Sequence, residues 1–163
     1  MPGPFNEAQL AKFDAELAQI LSRYPADQKA AAMLPALRLT QEILGWLPPE
    51  AMRLVAERLG VPPPRAEEVA TFYVMFHTRE PGKHVIDVCT NLSCCLRGGE
   101  KVLAYLEKKL GITAGQTTSD KKFTLREAEC LASCGTAPVM QIDEAFVENL
   151  TPAKIDKALS SQD

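Results

Sequence analysis

The residues of this 163-residue chain that could carry chemistry are its five cysteines, all in the second half of the sequence. Cys89 and Cys94 enclose four residues, Cys130 and Cys134 enclose three, and Cys95 directly follows Cys94. Four thiolates at one place bind zinc or an iron–sulfur cluster, because both prefer sulfur ligands. The spacing therefore predicts a metal centre built from two cysteine loops.

The spacers between the cysteines favour an iron–sulfur cluster over structural zinc. Zinc knuckles usually have two-residue spacers, and neither pair here has one. A four-residue spacer occurs in plant-type ferredoxins, in which one loop wraps the edge of a [2Fe–2S] cluster. Two loops can then supply one pair of thiolates to each iron. Zinc in an interaction module stays open as an alternative.

The fifth cysteine leaves two further interpretations open. Cys95 could replace Cys94 as a ligand, which would lengthen the spacer by one residue. Alternatively, Cys94 and Cys95 could serve a thiol oxidoreductase, although the Cys-x-x-Cys motif typical of that chemistry is absent. We expect Cys95 to be an ordinary thiol beside the metal loop.

Composition narrows the function classes. Apolar residues make up 46% and charged residues 24%, which is typical of a globular protein and not of a disordered chain. The formal net charge of −3 gives no basis for nucleic-acid binding. The sequence contains no nucleotide-binding glycine motif, no signal-peptide pattern and no apolar stretch of transmembrane length. We therefore expect a cytoplasmic protein, in which thiols stay reduced.

The elements before residue 80 are predicted to be helical. Apolar residues recur at helical spacing and are separated by glycine and proline. The predicted helices span 6–22, 27–44 with an interruption at Pro35, 50–59 and 65–77. Short helices joined by tight turns favour a small bundle, so we assign residues 1–80 to a helical N-terminal domain.

The elements after residue 80 alternate between strand and helix. The pattern predicts strands at 84–88 and 123–125, a helix at 99–110, a hairpin of 138–142 with 145–147, and a last helix capped by Thr151. This order is similar to that of thioredoxin, so residues 81–163 form the second predicted domain. The fold class is α+β: an N-terminal helical bundle followed by a thioredoxin-like α/β domain. Each cysteine pair follows a strand, so one sheet edge can hold both.

The cysteine pattern and its flanks resemble the thioredoxin-like [2Fe–2S] ferredoxin family, and within it the members that serve NADH-quinone oxidoreductase (respiratory complex I). The resemblance covers roughly residues 6–160. The matching segments are Leu34-Pro35-Ala36-Leu37, Gly45-Trp46-Leu47, Val69-Ala70-Thr71-Phe72-Tyr73, Val88-Cys89-Thr90-Asn91, Leu96-Arg97-Gly98 and Glu129-Cys130-Leu131.

This resemblance implies a ligand set and an electron-transfer role. It implies that Cys89, Cys94, Cys130 and Cys134 hold one [2Fe–2S] cluster, and that the chain is an oxidoreductase subunit without a complete active site. The implied partner is a flavoprotein subunit that binds FMN and NADH, alongside other subunits of the peripheral arm. The chain would then be cytoplasmic and peripheral to the inner membrane through the complex, with no membrane insertion of its own.

Two further expectations come with the family. Related subunits serve NAD-linked hydrogenases and formate dehydrogenases, so an equivalent diaphorase subunit is the alternative function. The helical part then becomes a docking surface, with Trp46, Phe72, Tyr73 and Phe76 as core or interface residues. Of these two roles, we expect core for most of the four.

Overall fold

Two units of different architecture make up the chain, Met1–Glu80 and Pro81–Asp163. The computed structural model describes residues 3–162. The first unit is helical, and the second combines helices with a four-stranded sheet. This composition confirms the predicted α+β class. Over the described residues, none of the helices is both long and apolar enough to span a bilayer.

The first unit is built from helices whose ends follow local sequence signals. The helices are α1 (Glu7–Leu21), α2 (Met33–Leu44), α3 (Pro49–Leu59) and α4 (Pro63–Phe72). Asn6 caps α1 through a capping box with Gln9, and proline occupies the first position of both α3 and α4. Gly45 and Gly60 end α2 and α3 in the left-handed conformation.

The start of α2 differs from the prediction. Residues Lys29–Ala32 form a short 3₁₀ helix, and α2 begins only at Met33, so Asp27 does not cap it. Pro35 therefore lies in the first turn of α2, where a missing N–H breaks no intrahelical hydrogen bond. The proline marks the beginning of this helix and does not kink its middle.

The fourth helix ends at Phe72, and the prediction that it continues to residue 77 is wrong. Tyr73 is extended, and the following residues are held from α2 and the loop after it. The Gln41 side chain donates to the Met75 carbonyl at 3.0 Å and accepts from the His77 N–H at 2.7 Å, while the Leu47 N–H donates to the His77 carbonyl at 2.8 Å. These hydrogen bonds replace those that a longer helix would make.

This early end changes the fate of the aromatic residues expected in the core. Phe76 is buried and Trp46 is half-buried, as expected for core residues. Phe72, however, is 77% exposed, and its ring contacts the partly exposed ring of Tyr73 edge-on at 5.1 Å between centroids. The expectation of a core role is therefore wrong for Phe72.

The second unit is organised around a sheet with the strand order β2-β1-β3-β4. The strands are β1 (His84–Cys89), β2 (Phe123–Ala128), β3 (Met140–Ile142) and β4 (Ala145–Val147). The helices are α5 (Leu92–Leu96), α6 (Gly99–Leu110) and α7 (Pro152–Ser160). Strand β1 pairs in parallel with β2 and antiparallel with β3. The short helix α5 was not predicted, and β2 is three residues longer than predicted.

The sheet packs its apolar side chains against α6 and α7. Ile86, Leu125 and Met140 are fully buried in one cluster with Leu106 of α6 and Ile155 of α7. Thr151 caps α7 as predicted, since its hydroxyl accepts from the Lys154 N–H. This layer holds β1 and β2 in register.

One charged pair joins the two parallel strands. Asp87 and Arg126 lie opposite each other in register, and the guanidinium donates to both carboxylate oxygens at 2.7 and 2.8 Å. Their side chains are only 15% and 27% exposed. A bidentate, largely buried pair leaves a costly unpaired charge when one partner is removed.

We therefore expect Arg126→Ala to destabilise the second unit by about 2 kcal/mol, because Asp87 loses its charged partner. Urea unfolding followed by circular dichroism measures the change. The control is Lys109→Ala, which removes an exposed ion pair with Asp156 in the same unit and should leave the midpoint nearly unchanged. Equal midpoints for the two variants would contradict this role of Arg126.

Candidate metal centre

Two loops that carry cysteines leave the sheet at the same edge. Strand β1 ends at Cys89, directly opposite Ala128 at the end of the parallel strand β2. The loops stay together beyond the strands, since the Thr90 N–H donates to the Ala128 carbonyl at 3.1 Å. The Asn91 side chain also donates to the Glu129 carbonyl at 2.8 Å. Parallel pairing therefore places both cysteine loops side by side.

The first loop turns back on itself through α5. The Asn91 side chain accepts from the Leu92 N–H at 2.8 Å and begins this helix. One helical turn then brings Cys94 next to Cys89, and the two thiols share a hydrogen bond. Both are buried, at 3% and 1% exposure. The four-residue spacer thus forms one compact helical turn between two neighbouring thiols.

Backbone N–H groups surround the Cys89 sulfur. Burial raises the pKa of the Cys89 thiol, but hydrogen bonds from the backbone N–H groups of Asn91 and Leu131 outweigh it, together with the Cys94 thiol. The pKa therefore lies below its ordinary value. Because Leu131 belongs to the second loop, both loops donate to the same sulfur. Such N–H donors stabilise a thiolate and tune a bound cluster.

The neighbouring thiol has the opposite balance. Burial raises the pKa of Cys94, and its contact with Cys89 raises it further, while the Val139 backbone N–H lowers it. The negative charge of Cys134 also raises this pKa, which brings the second loop close to Cys94. Cys94 thus has thiols of both loops as neighbours.

The second loop is more exposed than the first. Cys130 and Cys134 both face solvent. The Cys130 sulfur accepts from the Ala132 N–H at 3.3 Å, and Ala132 adopts a positive φ of 54° that turns the chain between the two cysteines. Cys134 begins a short 3₁₀ turn that ends at Thr136. The loop therefore presents two accessible thiols beside the buried pair.

The structure brings three of the predicted ligands, Cys89, Cys94 and Cys134, into mutual influence, and it places Cys130 on the same loop as Cys134. Within residues 3–162, no three histidine, cysteine or acidic side chains converge closely enough to hold a single ion. A [2Fe–2S] cluster divides its four thiolates between two irons and does not require such convergence. The all-thiol donor set and the N–H groups aimed at sulfur fit this cluster.

The fifth cysteine points away from this cluster of thiols. Cys95 is exposed, and its sulfur lies 3.6 Å from a carboxylate oxygen of Glu100 in α6. The charge of Glu100 raises the pKa of the Cys95 thiol. Adjacent helical residues face different directions, so only one of Cys94 and Cys95 can face Cys89. In this structure that residue is Cys94.

A glycine allows the two thiols of the first loop to meet. Gly99 begins α6, and a side-chain carbon there would lie 3.0 Å from the carbonyl oxygens of both Cys89 and Cys94. Its role was missed at the sequence level, where Gly98 and Gly99 indicate only a helix start. The donors Leu131 and Val139 were missed too, since backbone direction leaves no signal in residue type.

The profile of one protein family matches most of the chain. The thioredoxin-like [2Fe–2S] ferredoxin family matches residues 17–163. The chain belongs to this family. Its cofactor is accordingly a [2Fe–2S] cluster, and the thioredoxin-like description of the second unit is confirmed.

Curated relatives narrow the position within the family. The chain is 46% identical to the E-chain component of NADH-quinone oxidoreductase from Rickettsia conorii, over 86% of this chain and 85% of the relative. It is 40% identical to "NADH dehydrogenase [ubiquinone] flavoprotein 2, mitochondrial" of Dictyostelium discoideum, over 93% of this chain and 60% of the relative. These similarities confirm the family resemblance, and both relatives are named as parts of oxidoreductases.

A solved structure supports the same fold. The crystal structure of an NAD⁺-reducing [NiFe]-hydrogenase in the air-oxidized state matches 85% of this chain, with a TM-score of 0.69. The identity is 21%, and the match covers 24% of that hydrogenase chain. This ferredoxin fold therefore occurs as about a quarter of a longer polypeptide in that protein.

The close approach at Gly99 generates a testable prediction. We expect Gly99→Ala to push α6 from the first loop, to cost about 2 kcal/mol of stability and to reduce the iron bound per chain. The matched control is Gly135→Ala in the second loop, where an added side-chain carbon meets no atom within 4 Å. Iron analysis and urea unfolding compare the two. Full iron content in Gly99→Ala would contradict the packing argument.

Proposed function

We propose that this chain is the [2Fe–2S] electron-carrying subunit of an NADH-quinone oxidoreductase, respiratory complex I. In this role it accepts one electron from the reduced FMN of a flavoprotein subunit that oxidises NADH. The observation that carries the proposal is the pairing of two cysteine loops at one sheet edge in a member of this ferredoxin family.

The proposed ligands are Cys89, Cys94, Cys130 and Cys134, with one loop serving each iron. Cys89 and Cys94 are adjacent and buried, and Cys130 and Cys134 leave the neighbouring strand. When bound, the cluster supplies one-electron chemistry, which needs no substrate pocket on this chain.

The chain's own residues then have three tasks around the cluster. The N–H groups of Asn91, Leu131 and Val139 stabilise negative charge on the sulfurs of the first loop. The apolar side chains of Ala137, Val139 and Leu131 pack around Cys89 and Cys94 and exclude water from that side. The exposed second loop leaves the opposite side open to a partner.

Complex I is favoured over the diaphorase alternative by the degree of similarity. The relative from Rickettsia conorii is about twice as identical to this chain as the hydrogenase is, and it matches over most of its own length. In complex I, the partners would be the FMN- and NADH-binding flavoprotein and other subunits of the peripheral arm. Contact with the inner membrane, on its cytoplasmic side, would come only through those subunits.

Reconstitution with the flavoprotein partner tests the electron-transfer role. The full chain would be combined anaerobically with an FMN-loaded flavoprotein subunit, and NADH would be added. We expect bleaching of the cluster absorbance and a paramagnetic signal of the reduced cluster. NADH oxidation by the flavoprotein with an unchanged, oxidised cluster would argue against this role. A colourless chain with one zinc and no labile sulfide would instead favour an interaction module.

Two adjacent cysteines provide a sharp test of the ligand assignment. We expect Cys94→Ser to lose the cluster or alter its spectrum, because Cys94 faces Cys89. We expect Cys95→Ser to retain about two iron and two sulfide atoms per chain, because Cys95 points to Glu100. Iron and sulfide analysis with paramagnetic resonance of the reduced proteins measures both. The reverse pattern would move the ligand register by one residue.

A further inference from the structure

The second cysteine loop is held from outside by a carboxylate that belongs to neither loop. Glu148 follows β4, and one of its oxygens, Oε1, accepts from the Ser133 hydroxyl at 2.6 Å and from the Thr136 hydroxyl at 2.7 Å. The two hydroxyls also lie 2.6 Å from each other. A single oxygen atom thus gathers the residues on both sides of Cys134.

The backbone beside Glu148 is bonded to the same loop. The Asn149 N–H donates to the Thr136 carbonyl at 2.7 Å, and the Leu150 N–H donates to the Pro138 carbonyl at 3.0 Å. Leu150 is buried in the core of the second unit, so this segment is anchored independently of the loop. The Glu148 carboxylate therefore acts from a fixed position.

The charge state of Glu148 suits this role. Hydrogen bonds from Ser133 and Thr136 lower its pKa below the ordinary value, and the nearby charge of Lys154 adds to the effect. Lys154 also donates to the Glu148 carbonyl at 3.0 Å from the first turn of α7. An ionised carboxylate accepts stronger hydrogen bonds than a neutral group does.

Ser133 departs from its usual local role to make this contact. It precedes the 3₁₀ turn that begins at Cys134, and serine in such a position commonly caps its own turn. Here the side chain makes no such cap, and its hydroxyl is directed to Glu148. The turn at Cys134 consequently depends on a residue fifteen positions along the chain from Ser133.

We propose that Glu148 is a positioning residue for the Cys134 thiol, acting through the hydroxyls of Ser133 and Thr136. The inference rests on the proposed function in one respect, which is that Cys134 is a cluster ligand. By fixing the residues on either side of Cys134, the carboxylate sets the direction of this thiol and of the neighbouring N–H groups, and thereby the properties of the bound cluster.

The test compares three variants of the full chain. Glu148→Ala removes the acceptor, and Glu148→Gln retains one amide oxygen that can accept from both hydroxyls. Glu144→Gln is the control, since Glu144 is an exposed carboxylate in the turn between β3 and β4. Hydrogen exchange at the Thr136 amide is measured in the cluster-free chain. The midpoint potential and paramagnetic spectrum are measured in the loaded chain.

We expect Thr136 exchange in Glu148→Ala to be about tenfold faster, as for the loss of a hydrogen bond to a charged group. The spectrum and the potential should change as well. Glu148→Gln should recover the protection and the spectrum, and Glu144→Gln should match the unmodified chain in every measurement. Should Glu148→Ala not fold, Ser133→Ala removes the same contact from the loop side and is interpreted in the same way.

Three results would overturn the proposal. The first is unchanged exchange, spectrum and potential in Glu148→Ala, and the second is a Glu148→Gln variant that behaves like Glu148→Ala. The third is faster exchange with an unaltered spectrum and potential, which would make the contact merely structural. Retention of an unaltered cluster in Cys134→Ser would instead refute the ligand assignment, while the exchange measurement would still report on Glu148.

Discussion

The parallel pairing of β1 with β2 determines where the rest of the second unit lies. Parallel strands end at the same sheet edge and require a crossover between them, which α6 provides. The crossover begins immediately after the first cysteine loop, so its first residue, Gly99, lies against the backbone of that loop. A shift of one residue in this pairing would turn Ile86 out of the core and separate the two loops.

The two cysteine loops are held by different kinds of interaction. The first is packed from within, by apolar neighbours and by backbone N–H groups on Cys89 and Cys94. The second has little apolar cover and is held from outside, by the carboxylate of Glu148 and the backbone that follows it. One half of the site therefore depends on core packing, and the other on polar contacts that remain in solvent.

Much of this arrangement could be predicted from local signals, and the errors share one cause. Capping by Asn6 and Thr151 was predictable because it involves neighbouring residues only. The end of α4 was not, because the segment after Phe72 is held by distant Gln41 and Leu47. The five-residue helix α5 is too short for periodicity to indicate it. At the site, thiol spacing predicted the loops, whereas the directions of N–H groups depend on backbone angles.

The division into two units also separates the natural reporter groups of the chain. Trp46 is the single tryptophan of the sequence and lies in the first unit, whereas every cysteine lies in the second. Tryptophan emission therefore originates in the helical unit. Cluster colour and thiol labelling originate in the sheet unit. Unfolding of each unit can thus be followed by its own optical signal in one sample, without any added label.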